Sequence, residues 1–471
     1  MPNQDQNPSA SSDSSSKPKV TVLAPIVDVR RGEVVPMFTS ALWIFLALTA
    51  YYIIKPIRGT VLQDVITVDN KPRALLATTI FIGFFVYVYG KIVPRVTRQR
   101  LIIATFLAFI GCLCAFAIVM PLGGTLVGYL FYVWVSTFNL MVVSQFWSLA
   151  ADVWSKEEGS RLFGFIGVGA VGGGIFGTVV VSGFAKTLDT YQMLFLAAGI
   201  LGVCLLLALY ILRFGAQRGR KNESTAASQG AGAKAAAMPG KSDDEVSNPF
   251  VLVFTSPYLR LIAVMMLIVN LVNTSNEWIF DKLLSQGGLG KAELNAYYAQ
   301  YYLYQNVLTF CIQFFLTARI QRWFGARVAL LFLPLVGLTG GVLFLAIPTL
   351  FVIRSLKIAE NATEYSIQAN TRELLYLPVS KVEKYSAKNL NDTLIVRIGD
   401  SVAAGAIFLV VEELIPRFGD GGIQMLVGTN LFLGAILLFV VFRIGGMHRV
   451  LMRAMPNPSK AAADVPLTKA S

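Results

Sequence analysis

Ala226-Ala227-Ser228-Gln229-Gly230-Ala231-Gly232-Ala233-Lys234-Ala235-Ala236-Ala237 lies within residues 214–248, the only long internal polar stretch of the chain. Its small and polar residues offer no apolar face to bury, so the stretch reads as a flexible linker. On both sides the sequence changes to apolar runs of about 20 residues, the length that crosses a bilayer core as a helix. Before the linker these runs fall near 36–56, 74–92, 101–120, 124–150, 162–184 and 191–213. After it they fall near 258–281, 296–318, 326–347, 349–371, 390–411 and 423–443. The linker therefore predicts an all-α membrane protein of twelve transmembrane helices in two six-helix halves, residues 34–213 and 249–445. Polar tails, 1–33 and 446–471, complete the division, and a monomer is expected.

Composition agrees with that reading. Of 471 residues, 55% are hydrophobic and 14% charged, whereas soluble chains carry roughly 25% charged residues. The net charge of +13 is explained by position. The loop 90–100 holds Lys91, Arg95, Arg98 and Arg100 with no acid, while Pro121-Leu122-Gly123-Gly124 holds no charge. Basic residues stay on the cytoplasmic side, so both termini are expected in the cytoplasm of a bacterium, with the spans in its inner membrane. A nucleic-acid partner is not expected; the lipid bilayer is. Residues 1–20 lack the apolar core of a cleavable signal. A single His, His448, and four Cys leave no metal set, cofactor or nucleophile–base pair, so no enzyme is expected. The glycines of 164–177 sit in an apolar run with no preceding strand and no following Lys-Ser/Thr, and read as close helix packing.

The two halves echo each other. Basic loops follow spans 2 and 8, and the charged segments 155–161 and 380–388 follow spans 4 and 10. Two six-helix halves around a cavity resemble the major facilitator type of secondary transporter.

Charges within spans mark candidate function, because a charge at mid-bilayer costs at least about 2.5–3.5 kcal/mol. Arg354, Lys357, Glu360, Asn361, Glu364 and Gln368 fall on one face of span 10 at helical spacing. That stripe lines a transport path or forms a closed network of ion pairs. Arg397 and Asp400, three apart, either neutralise each other or touch substrate. Lys55 and Arg58 end span 1, and Glu277 and Asp281 end its counterpart, span 7. They either snorkel to headgroups or pair as an outer gate. Asp152 with Arg372 or Glu373 would form the inner latch. Asn139 and Gln145 of span 4 contact substrate or bond between helices.

Phe138-Asn139-Leu140-Met141-Val142-Val143-Ser144-Gln145-Phe146-Trp147-Ser148-Leu149-Ala150-Ala151-Asp152, followed by Arg161-Leu162-Phe163-Gly164, resembles the Tlc-type ATP/ADP translocases of plastids and obligate intracellular bacteria. So do Arg372-Glu373-Leu374-Leu375-Tyr376-Leu377-Pro378-Val379-Ser380 and Lys388-Asn389-Leu390-Asn391-Asp392. The resemblance places Arg58 where the family has an essential Lys. It implies a major-facilitator-like fold, alternating access and exchange of ATP for ADP, with a nucleotide or another phosphorylated organic anion as substrate. Lys55, Arg58, Arg354, Lys357 and Arg397 would supply the cations, with Asn139, Glu364 and Asp400 beside them. Three positions depart from the family: Val135 or Ser136 replaces a Glu, Asp400 replaces the Lys of a Gly-Lys-Ser, and a span 7 Glu aligns with Asn273, or with Glu277 only after a shift. Two other readings are a proton-coupled carrier using Glu364 or Asp400, and a non-transporting scaffold.

Overall fold

The computed structural model describes Val29 and residues 32–184, 187–228 and 249–454. The described residues are almost entirely helical and contain no strand. The long helices are α1 (Val34–Ile66), α2 (Val68–Ile92), α3 (Arg98–Leu122), α4 (Thr125–Val153), α5 (Lys156–Phe184) and α6 (Gln192–Ser228). The second half holds α7 (Pro257–Ser285), α8 (291–324), α9 (326–346), α10 (350–375), α11 (Asn391–Phe418) and α12 (Gly421–Ala454). By length and composition, ten helices among the described residues could cross a membrane. The stretch Lys291–Ala346 counts as one of the ten, although Gly325, at φ 74° and ψ 173°, breaks it into α8 and α9. α10 is not one of them, because Arg354, Lys357, Glu360 and Glu364 lower its hydropathy. Those two features separate the ten from the twelve runs expected.

α6 continues to Ser228, so residues 214–228 of the expected linker are helical, and α12 runs past residue 446 to Ala454. The remainder of the linker and both tails lie outside the described residues.

Each half has its own core. Trp43, Phe106, Phe131, Phe138 and Phe146 fill the first, and Leu259, Ile262, Leu330, Val441 and Ile444 the second. Outward-facing Phe84, Leu206, Phe314 and Phe432 stay at least 65% exposed, which suits contact with acyl chains. The glycines of α5 do bring backbones together. A Cβ on Gly169, Gly173 or Gly177 would fall 2.5, 2.1 or 2.6 Å from the carbonyl oxygens of Ala41, Phe45 or Thr49. This spacing of four lays α5 directly on α1, and the Thr49 hydroxyl donates to the Gly173 carbonyl across the seam at 3.2 Å.

Candidate functional site

Lys55 and Arg58 lie on α1 where the two halves face each other. The Lys55 ammonium is 4.1 Å from the ring centre of Tyr302 on α8 and 5.3 Å from that of Tyr52. The Arg58 guanidinium lies 4.3 Å over Tyr132 of α4, donating to its hydroxyl at 3.0 Å and to Ser136 Oγ at 3.2 Å. Among the described residues neither cation has a carboxylate within ion-pair distance. Asn139, one turn beyond Ser136, shares that face of α4 and is half-buried. Tyr51 adds a third ring 5.8 Å from the Lys55 ammonium, and Tyr301 packs on Tyr302 with ring centres 4.9 Å apart. Tyr365 of α10 is half exposed and within electrostatic range of Tyr51, Tyr52 and Glu277.

The stripe on α10 divides in two. Lys357 and Glu360 pair at 3.2 Å with side chains 0% and 6% exposed. α7 and α12 complete this network with amides. Lys357 donates to the Asn273 carbonyl at 3.1 Å and to its side-chain oxygen. Asn276 donates to Glu360 at 3.0 Å, Asn273 to Glu364 at 3.0 Å, and Asn430 to Asn276 at 2.9 Å. These groups are hydrogen-bonded to one another within the second half, where Asn273, Asn276, Glu360 and Glu364 also line a cavity. Arg354 turns to α8, 4.5 Å over Tyr297. Asn361 donates to Tyr301 at 2.9 Å and Gln305 at 3.1 Å. On α11, Arg397 pairs with Asp400 at 3.0 Å, and Asp400 also accepts from Thr274 at 3.0 Å.

At the end of the molecule remote from Glu33 and Ala454, the halves are tied together. The proposed pairing of Lys55 and Arg58 with Glu277 and Asp281 is not formed. Lys71, 1% exposed, takes that place, 2.5 Å from Asp281 and 3.3 Å from Glu277. Tyr298 donates to Asp281 at 2.7 Å, and Gln63 donates to the Asp281 carbonyl at 2.8 Å. The reason is reach: the rings of Tyr302 and Tyr132 occupy the near faces of Lys55 and Arg58, whereas Lys71 opens α2 beside the end of α7. Around this buried pair lie Lys282–Asp69 at 2.6 Å, Lys291–Asp64 at 3.0 Å and Arg73–Glu412 at 3.5 Å. Each joins one half to the other.

At the opposite end, two ion pairs of described residues each stay within one half. Asp152 pairs with Arg98 at 2.8 Å, and Glu373 with Lys388 at 2.6 Å. Asp152 and Arg372 are therefore not brought together: Arg98 at the start of α3 is nearer to Asp152. Gln145 donates to Tyr89 at 2.8 Å, bonding α4 to α2. The Glu-Leu-Leu-Tyr-Leu-Pro segment is a local staple. Tyr258 donates to the Leu375 carbonyl at 2.8 Å, and Asn391 donates to the buried Tyr376 hydroxyl at 2.9 Å.

Sequence reading missed Lys71, Tyr132, Tyr298 and Tyr302. Lys71 follows Val68-Asp69-Asn70 and reads as a loop cation. Tyr298 and Tyr302 were visible only as ring residues four apart on one helix face.

The model of the TLC ATP/ADP transporter family matches residues 125–355. No curated protein matches the chain. Among solved structures, a bacterial homologue of the iron transporter ferroportin in an inward-facing state has a TM-score of 0.60 at 12% identity, covering 87% of this chain and 98% of that one. A bacterial homologue of the human lysosomal transporter Spinster, inward-facing and unoccupied, has a TM-score of 0.56 at 11% identity, covering 91% and 100%. The nucleoside transporter NupG has a TM-score of 0.56 at 11% identity, covering 88% and 98%. At these identities the likeness is one of fold, that of major-facilitator-like membrane transporters. The family match runs from α4 in one half into α10 in the other, so this part of the chain is similar to the TLC ATP/ADP transporter family.

Proposed function

We propose that the protein exchanges nucleotides across the bacterial inner membrane by alternating access. The break at Gly325 and the charged α10 bring the ten apolar helices to twelve crossings, and the basic loops put both termini in the cytoplasm. The end closed by Lys71 and Asp281 is then the outer one, and the substrate path opens inward.

One observation carries the reading: among the described residues Lys55 and Arg58 sit between the halves without a carboxylate in ion-pair contact, Glu277 lying only within electrostatic range. Placing such a charge in a membrane costs at least about 2.5–3.5 kcal/mol, and a cation–π contact returns about 0.5–2 kcal/mol. The balance favours a site that awaits an anion. Lys71, Lys357 and Arg397 are each paired, so the substrate's phosphates fall to Lys55 and Arg58. Ser136, Asn139 and the tyrosines supply neutral contacts. Glu364, Arg397 and Asp400 form the facing wall, while Arg354 of α10 stands apart against Tyr297 of α8. Glu277 and Asp281 hold the outer gate through Lys71. Asp152 and Arg372 meet, on this reading, only when the inner end closes.

Titration of purified protein with ADP by calorimetry tests the site. Lys55→Ala and Arg58→Ala should each weaken binding about 10–100-fold, the loss of one charge-assisted contact, with adenosine binding little changed. Unaltered ADP affinity in both variants would refute the assignment.

A further inference from the structure

We infer that the inner-end cleft between α9 and α12 binds the phosphate headgroup of an anionic phospholipid. The cleft measures ≈ 460 Å³ and is lined by Phe324, Arg327, Leu331, Phe442, His448 and Arg449, among others. Neither 318–331 nor 439–453 contains an acidic residue, whereas these segments hold Arg319, Arg322, Arg327, Arg443, Arg449 and Arg453. Among the described residues Arg327 and Arg449 have no carboxylate partner.

The cleft is built. The Arg327 guanidinium lies 3.6 Å over the ring of Phe442. Its stem crosses the α12 backbone at Gly445, where a Cβ would fall 2.3 Å from Arg327 Cγ. Arg449 Nε donates to the Gly445 carbonyl at 3.4 Å, which leaves both terminal nitrogens of its guanidinium for a ligand. His448 is engaged with the Tyr258 hydroxyl at 3.1 Å, so the two arginines carry the charge of the cleft.

Its position selects a lipid over a soluble phosphate. Trp323 and Phe324 beside it are 69% and 59% exposed, as aromatic residues are at a membrane interface. One turn deeper, Leu335 and Phe439 are 49% and 64% exposed and continue the apolar track that acyl chains need. Basic pockets between helices on the cytoplasmic side are suited to phospholipid headgroups.

Native mass spectrometry of the full-length protein tests this, with phosphatidylglycerol, cardiolipin, phosphatidylcholine and inorganic phosphate as probes. The two anionic lipids should bind at least about tenfold tighter than phosphatidylcholine. Arg327→Gln with Arg449→Gln should remove that preference, while Arg73→Gln at the far end should leave it intact. Equal binding of phosphatidylcholine, an unchanged preference in the double variant, or full displacement of the lipid by millimolar phosphate would each overturn the assignment. If the double variant does not fold, the lipid preference and phosphate competition of the unaltered protein decide the matter.

Discussion

Lys55 and Lys357 are both membrane lysines, yet their surroundings give them opposite roles. Lys357 has Glu360 and Asn273, and its removal leaves Glu360 buried without a cation. Lys357→Ala should therefore lower stability by about 3–5 kcal/mol, measured by thermal unfolding in detergent. The double variant Lys357→Met with Glu360→Leu should recover more than half of that loss, because it removes both charges. Lys55 has ring contacts and no ion pair among the described residues, and Lys55→Ala should leave the unfolding temperature within about 2 °C while weakening nucleotide binding. Sequence exposed both lysines as charges in apolar runs. It could not separate them, because the difference rests on what α7 and α8 present to each, and those helices are distant in the chain.

At the scale of elements, α1 and α5 are joined by backbone contact through Gly169, Gly173 and Gly177. Gly173→Leu should push the two helices apart and destabilise the protein by at least about 1–3 kcal/mol, whereas Gly183→Leu, with open space around its Cβ position, should not. Differential unfolding of the two variants checks this. The glycine pattern was readable from spacing alone. α10 was readable too, as an apolar run with a polar face, although its charges keep it below the hydropathy of its neighbours. The break at Gly325 marks where two of the expected runs part. The Lys71 contact was not legible, since it depends on how the start of α2 meets the end of α7 across the halves.

Among the described residues, the ion pairs that join the two halves lie at one end of the molecule. The buried Lys71–Asp281 pair and the three pairs around it join the halves there, while Arg98–Asp152 and Lys388–Glu373 at the other end each stay within a half. The surrounding pairs are part-exposed and worth about 0–1 kcal/mol each, so the latch rests on Lys71. Lys71→Ala should shift the protein toward opening at the outer end. In a variant whose four native cysteines are replaced by serine, a cysteine at Ser136 should then react about tenfold faster with an impermeant thiol reagent added outside. An unchanged rate would place the latch elsewhere. The linker and basic loops lead to an expectation of two halves with cytoplasmic termini, but sequence does not disclose which end stands closed.

Counterflow in proteoliposomes reconstituted with the purified protein tests the central claim most directly. Vesicles loaded with ADP should accumulate external labelled ATP, vesicles without internal nucleotide should not, and Arg58→Ala should abolish the difference. Uptake of ATP that is the same with and without internal ADP, or no uptake at all by a folded protein, would contradict nucleotide exchange at Lys55 and Arg58.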